Sequence, residues 1–156
     1  MKSSIAMGVF FLGSLFAQPV KPTVVFVCEH GSAKSVIAAA ELARMAKEKG
    51  LELNIVSRGT NPDAEIPALV RDGLKADGLD IGKMKPVKIS QDDLKGATKI
   101  VTFGPDLAPW LPTGAKAADW SATPSVSENY RAASDYIKKQ LAPLLRELIL
   151  VTQYPK

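Results

Sequence analysis

Two kinds of apolar pattern alternate along the chain after its first twenty residues. The run TVVFV over 23–27 is continuously apolar and β-branched, which is typical of a strand buried on both faces of a parallel sheet. The segment from Ser35 to Lys49 instead has apolar residues at positions 36, 39, 40, 43 and 46, which is helical spacing, and Gly50 follows as a helix-ending residue. The chain therefore begins its fold with a strand and then a helix.

The same alternation continues to the end of the chain. Further strands are predicted over residues 53–56, 99–103 and, more weakly, 115–120, with a short helix over 67–77 and one capped helical turn over 90–96. The spacing Ser125-x-x-Glu128 predicts a capping box in front of the longest helix, whose apolar stripe extends from Tyr130 to Leu148. Strands separated by helices predict an α/β fold with a parallel sheet covered on both faces.

The first seventeen residues have the layout of a signal peptide. Lys2 supplies a positive charge, the stretch Ile5–Phe16 is apolar apart from Gly and Ser, and Ala17 is a small residue that suits a cleavage site. An uncleaved N-terminal anchor is the alternative, although the apolar stretch is short for a membrane span. We therefore expect a signal peptide over 1–17 and a single domain over 18–156, exported to the periplasm or secreted, with no stable membrane association after cleavage.

Composition narrows the classes of function. The 156 residues are 46% hydrophobic and 23% charged, which is typical of a folded chain rather than a disordered one. One cysteine and one histidine exclude a disulfide scaffold, a Cys-rich zinc finger and a zinc site with several imidazoles, so we expect no metal and no cofactor. The net charge of +4 favours anionic partners, but no basic run interleaved with aromatic residues indicates nucleic acid.

The candidate chemistry lies between the first strand and the first helix. This Cys28 loop consists of Cys28, Glu29, His30, Gly31, Ser32, Ala33, Lys34 and Ser35. Ligands of open α/β sheets bind beyond the carboxyl ends of strands, and backbone N–H groups at a helix N-terminus bind anions. The helix N-terminus and Lys34 favour the thiolate of Cys28, and Ser35 is placed to donate to it. A thiolate inside an anion-binding loop is suited to in-line attack on a phosphoryl group.

Other interpretations of this loop remain open. A buried, inert cysteine at a strand end is the structural alternative for Cys28. For His30, tuning of the thiolate or contact with substrate is one interpretation, and a solvent-facing loop residue is the favoured one. The nucleotide-binding pattern G-x-x-x-x-G-K-[ST] matches only at Lys34-Ser35, because Cys28 and Ala33 occupy the glycine positions, so an ATPase is discounted.

These residues resemble a known family. The segment VFVCEHGSAKS (25–35) resembles the C-x5-R-S phosphate loop of low-molecular-weight protein tyrosine phosphatases and the related arsenate reductases. The segments over 57–60 and 68–81 resemble the family's S-x-G-T and the helix that follows, and residues 120, 124 and 130–131 resemble the arsenate reductase branch. The resemblance implies a three-layer domain with a four-stranded parallel sheet of order 2-1-3-4. It also implies that Cys28 is the nucleophile that forms a thiophosphoryl intermediate, that residues 29–34 bind the oxyanion, and that Ser35 supports the thiolate.

The chain departs from the family pattern at two positions. Lys34 replaces the arginine that grips two phosphoryl oxygens, and by analogy with loss of an oxyanion donor this lowers the rate about 10²–10³-fold. The sequence Ala122-Thr123-Pro124 replaces the Asp-Pro of the general acid, whose loss typically costs about 10²–10⁴-fold. Asp119 and Asp106 are candidate substitutes for this acid, and a surface aspartate or helix cap is the simpler interpretation of each.

Three hypotheses of function follow. The first and favoured one is a cysteine-dependent phosphatase that acts on a phosphate monoester, slowly because of these two departures. The second is an arsenate reductase that uses an external thiol, since Cys28 is the only cysteine. The third is a non-catalytic module that binds an oxyanion. The expected partners are phosphate, arsenate or a phosphorylated substrate, and the oligomeric state is left open.

Overall fold

The computed structural model describes residues 21–154, and the predicted signal peptide over 1–17 lies outside them. The elements in chain order are β1 (Thr23–Cys28), α1 (Lys34–Glu48), β2 (Asn54–Gly59), α2 (Ala68–Ala76), α3 (Gln91–Leu94), β3 (Lys99–Thr102), β4 (Ala118–Asp119) and α4 (Tyr130–Gln153). The strands form one parallel sheet in the order β2-β1-β3-β4, which confirms the expected α/β fold. No helix among residues 21–154 has the length and apolar character that crossing a membrane requires.

Strand β1 lies between β2 and β3 and is buried on both faces, as its apolar run predicts. Val24 and Phe26 pack into the larger core under α1 and α4, while Val25 and Val27 pack into a second core on the opposite face. The larger core includes an aromatic group in which the Phe26 ring centroid lies 5.9 Å from that of Trp120. Cys28 ends this strand, so packing of the sheet fixes the point from which its side chain projects.

Two local predictions need correction. The capping box at Ser125 is wrong, because α4 begins at Tyr130 and the Asn129 side chain accepts the N–H of Ala132 at 2.9 Å. The Ser125 hydroxyl instead hydrogen-bonds the Ser127 hydroxyl at 3.0 Å, in a turn closed by backbone contact with Asn129. The fourth strand is also shorter than predicted, covering only Ala118–Asp119. The residues before α4 are therefore non-helical and remain free to form part of a cleft.

Candidate active site

The Cys28 loop is held rigidly against the segment that follows β2. Gly31 has φ of +59°, and a Cβ on Gly59 would lie 2.7 Å from the Gly31 nitrogen, so the two backbones touch where only glycine fits. Backbone N–H groups of Thr60, Asn61 and Asp63 donate to three successive carbonyls of the loop, those of residues 28, 29 and 30, at 2.8–3.2 Å. The loop conformation is thus fixed by backbone contacts with residues that lie outside the loop.

A chain of hydroxyl groups leads to the sulfur of Cys28. The Ser57 hydroxyl donates to the Ser35 Oγ at 2.9 Å, and the Ser35 Oγ lies 3.1 Å from the Cys28 Sγ. Because Ser35 accepts from Ser57, its own hydrogen can point at the sulfur, where it stabilises an anion. Ser35 is fully buried and Cys28 is 7% exposed, so this contact is shielded from water.

Lys34 has a partner far away in the sequence. Its Nζ donates to the backbone carbonyl of Thr123 at 2.8 Å, across 89 positions, and so connects the Cys28 loop to the turn before α4. An ammonium group has three N–H donors, and this bond uses one of them. Lys34 also lines the cleft described below.

An open cleft of about 370 Å³ lies over the loop. Its walls are residues 28–30 and 32–34 of the loop, Asp63 and Pro67 after β2, Phe103 after β3, and residues 125–127 before α4. The structure thus brings most of the predicted loop residues to one opening, with Ser35 behind the sulfur and Gly31 packed against Gly59. The arrangement can hold an oxyanion against the Cys28 sulfur, beside the N-terminal end of α1.

The candidate general acid Asp119 is not among the residues that line this cleft. It is exposed on β4, where its Oδ1 accepts the Ser121 N–H at 2.8 Å, and this backbone hydrogen bond lowers the pKa of Asp119. A carboxyl with a lowered pKa stays ionised and is a poor proton donor. Asp106 lines a neighbouring groove instead, with its Oδ1 accepting the Ala108 N–H at 2.9 Å.

The residue at the position of the family's general acid, Thr123, is buried and hydrogen-bonded elsewhere. Thr123 is 4% exposed, and its hydroxyl donates to the Trp120 carbonyl at 2.7 Å.

The sequence did not predict the part that two residues play in this site. Ser57 was noted only as part of a family motif, and Asp63 gave no signal, because its neighbours in the cleft lie about thirty positions away.

Comparisons with known proteins identify one family and several structures of similar fold. The family described as low molecular weight phosphotyrosine protein phosphatase matches residues 23–118 of this chain. No curated protein matches it. Among solved structures, the thioredoxin-dependent arsenate reductase of Corynebacterium glutamicum is 25% identical, with a TM-score of 0.71 over 83% of this chain. The chain spans only 63% of the length of that reductase.

Two further structures share the fold at lower identity. The low molecular weight protein tyrosine phosphatase of T. tengcongensis is 18% identical, with a TM-score of 0.66 over 81% of this chain and 99% of its own. Wzb of Vibrio vulnificus, solved in complex with benzylphosphonate, is 12% identical, with a TM-score of 0.66 over 82% of this chain and 99% of its own.

Proposed function

The chain belongs to the low molecular weight phosphotyrosine protein phosphatase family, and from that premise we propose that it is a cysteine-dependent phosphatase acting on a phosphate monoester. The observation that carries the proposal is the hydroxyl chain from Ser57 through Ser35 to the Cys28 sulfur, at 2.9 and 3.1 Å. Such a contact stabilises a thiolate, and the thiolate is the nucleophilic form of cysteine.

The reaction then has two steps. In the first, the Cys28 sulfur attacks phosphorus in line, the S–P bond forms, and the P–O bond to the leaving alcohol breaks. Backbone N–H groups of the loop and the Lys34 ammonium hold the equatorial oxygens as charge develops on them. In the second, water attacks phosphorus, the S–P bond breaks, and phosphate leaves with the Cys28 thiolate restored.

Arsenate reduction is the second candidate, favoured by the 25% identity to a thioredoxin-dependent arsenate reductase. Cys28 is the only cysteine, so the chain cannot form an internal disulfide to pass electrons onward. An external thiol would have to supply both electrons, and the export proposed below would make that supply poor. Arsenite release from arsenate in the presence of glutathione would support this second candidate.

The proposed intermediate gives a direct test. Acid quench of the enzyme during turnover of nitrophenyl phosphate is expected to leave phosphate on the peptide that contains Cys28, detected by mass spectrometry. Cys28→Ala, which has no side-chain nucleophile at this position, is treated in the same way and controls for phosphate attached elsewhere. Binding of phosphate with no turnover and no trapped phosphoryl group would contradict the phosphatase and favour a non-catalytic oxyanion-binding module.

We also propose that the protein is exported, on the basis of Lys2, the apolar stretch Ile5–Phe16 and the small residue Ala17. N-terminal sequencing of native protein from fractionated cells is expected to give a start at or near Gln18 in the exported fraction. An intact Met1 in a cytosolic fraction would refute the proposal.

A further inference from the structure

The cleft holds a second pair of titratable groups that the steps above do not use. His30 and Asp63 both line it together with Cys28. The His30 Nδ1 lies 3.3 Å from the Asp63 Oδ1, and the two side chains are about half exposed, at 54% and 43%. The leaving group of a phosphate ester needs a proton donor, and this pair can supply one. The Thr123 hydroxyl instead donates to the Trp120 carbonyl, and Asp119 is not among the residues that line the cleft.

The carboxylate of Asp63 is held in place from two sides. The Ser32 hydroxyl donates to the Asp63 Oδ2 at 2.6 Å, which leaves Oδ1 for the imidazole. The Asp63 backbone N–H donates to the His30 carbonyl at 3.0 Å, so backbone and side chain both join these two residues. A histidine oriented through Nδ1 by a carboxylate has its Nε2 available for proton transfer.

The charges around this imidazole are mixed. Glu29 Oε2 lies 3.8 Å from the His30 Nε2, beyond hydrogen-bond distance, and Asp63 is the nearer carboxylate. Lys34 and Cys28 are the other titratable groups of the cleft. The lining of the cleft around this imidazole thus carries two carboxylates and one ammonium group.

We propose that His30 is the general acid and base of this site, with Asp63 as its positioning residue; this inference rests on the proposed phosphatase function. The imidazolium gives its Nε2 proton to the leaving oxygen as the P–O bond breaks and the S–P bond forms. The neutral imidazole then takes a proton from water as the water oxygen attacks phosphorus and the S–P bond breaks. Each cycle thus restores both the imidazolium and the Cys28 thiolate.

Two esters with different leaving groups test this role. Nitrophenolate leaves without a proton, whereas phenolate from phenyl phosphate needs one. We expect His30→Asn to lower kcat/KM for phenyl phosphate about 10²–10⁴-fold, the usual contribution of general acid catalysis, and to lower that for nitrophenyl phosphate less than about tenfold. The ratio kcat/KM is suitable because it reports the steps up to departure of the leaving group.

Asp63→Asn tests the positioning role. It is expected to lower kcat/KM for phenyl phosphate by less than His30→Asn does, because the imidazole remains and loses only its orientation. Asp63→Asn is expected to lower kcat/KM for nitrophenyl phosphate by less, and a merely structural defect would not produce this difference between the two esters. Asp72→Asn, an exposed carboxylate on α2, is the matched control and should leave both esters unchanged.

The outcomes separate this inference from the proposed function. One outcome is Cys28-dependent turnover of both esters in which His30→Asn lowers kcat/KM for both equally or for neither. That outcome would overturn the role of His30 and keep the phosphatase. Absence of Cys28-dependent turnover of either ester would overturn the phosphatase and the role of His30 with it. Unchanged thermal stability of each variant shows that the fold is retained.

Discussion

Cys28→Ser is expected to abolish turnover of every phosphate ester. Loss of a covalent nucleophile typically costs about 10⁶-fold in kcat, because a neutral hydroxyl is a far weaker nucleophile than a thiolate. Serine has nearly the same shape as cysteine and keeps Ser35 as its neighbour, which lies 3.1 Å from the sulfur in the wild type, but its hydroxyl stays protonated near neutral pH. Release of nitrophenolate, followed by absorbance, measures the effect directly.

A graded series makes this result specific to the sulfur. Ser35→Ala removes the donor to the thiolate, and a hydrogen bond to a charged group contributes about 1.5–3 kcal/mol, so a loss of roughly 10–100-fold is expected. Ser134→Ala, which removes the hydroxyl of a buried serine of α4, is the matched control and should retain the wild-type rate. Wild-type turnover by Cys28→Ser would contradict a nucleophilic role for the sulfur.

Phosphate binding distinguishes loss of chemistry from loss of the site. Cys28→Ser keeps the loop backbone, which the contacts of Thr60, Asn61 and Asp63 hold in place. A rise in thermal stability with added phosphate is therefore expected in the variant as in the wild type. Loss of that rise would show that the substitution had disturbed the loop itself.

The strands and long helices follow from local pattern. The run over 23–27 predicts β1 because a strand buried on both faces needs apolar side chains at every position, and the structure buries them in two cores. The apolar stripe of α4 predicts its buried positions from Ala133 to Leu148, because one helix face must meet the core. The sheet order was expected from the family resemblance, since periodicity does not encode which strands are neighbours.

The missed features depend on distant contacts. Both Ser125 and Asn129 are residue types that cap helices, and local sequence does not choose between them. In the structure Ser125 lines the cleft and Asn129 caps α4, because the turn between them is part of the cleft wall. Lys34 and Thr123 meet across 89 positions, and Asp63 meets Ser32 across 31. The site's loop was therefore predictable, whereas the partners that orient it were not.

The contact of Lys34 with Thr123 leads to the second large effect. Lys34→Met keeps much of the side-chain volume but removes the positive charge from the lining of the cleft and the 2.8 Å bond to the Thr123 carbonyl. Loss of one donor to the developing charge costs about 10²–10³-fold, and we expect kcat/KM for nitrophenyl phosphate to fall by that amount. Lys139→Met, at an exposed position of α4, removes the same charge outside the cleft and should leave the rate unchanged.

Lys34→Arg is expected to act in the opposite direction. A guanidinium has five N–H donors, so one of them can donate to the Thr123 carbonyl while the planar fork binds two phosphoryl oxygens. A higher rate on nitrophenyl phosphate than that of the wild type is the expected result. A lower rate would mean that the cleft is shaped around the single ammonium contact with Thr123. In that case Lys34 would serve to position the turn before α4 and not to bind the phosphoryl group. The mechanism of the family's arginine would then not apply to this chain.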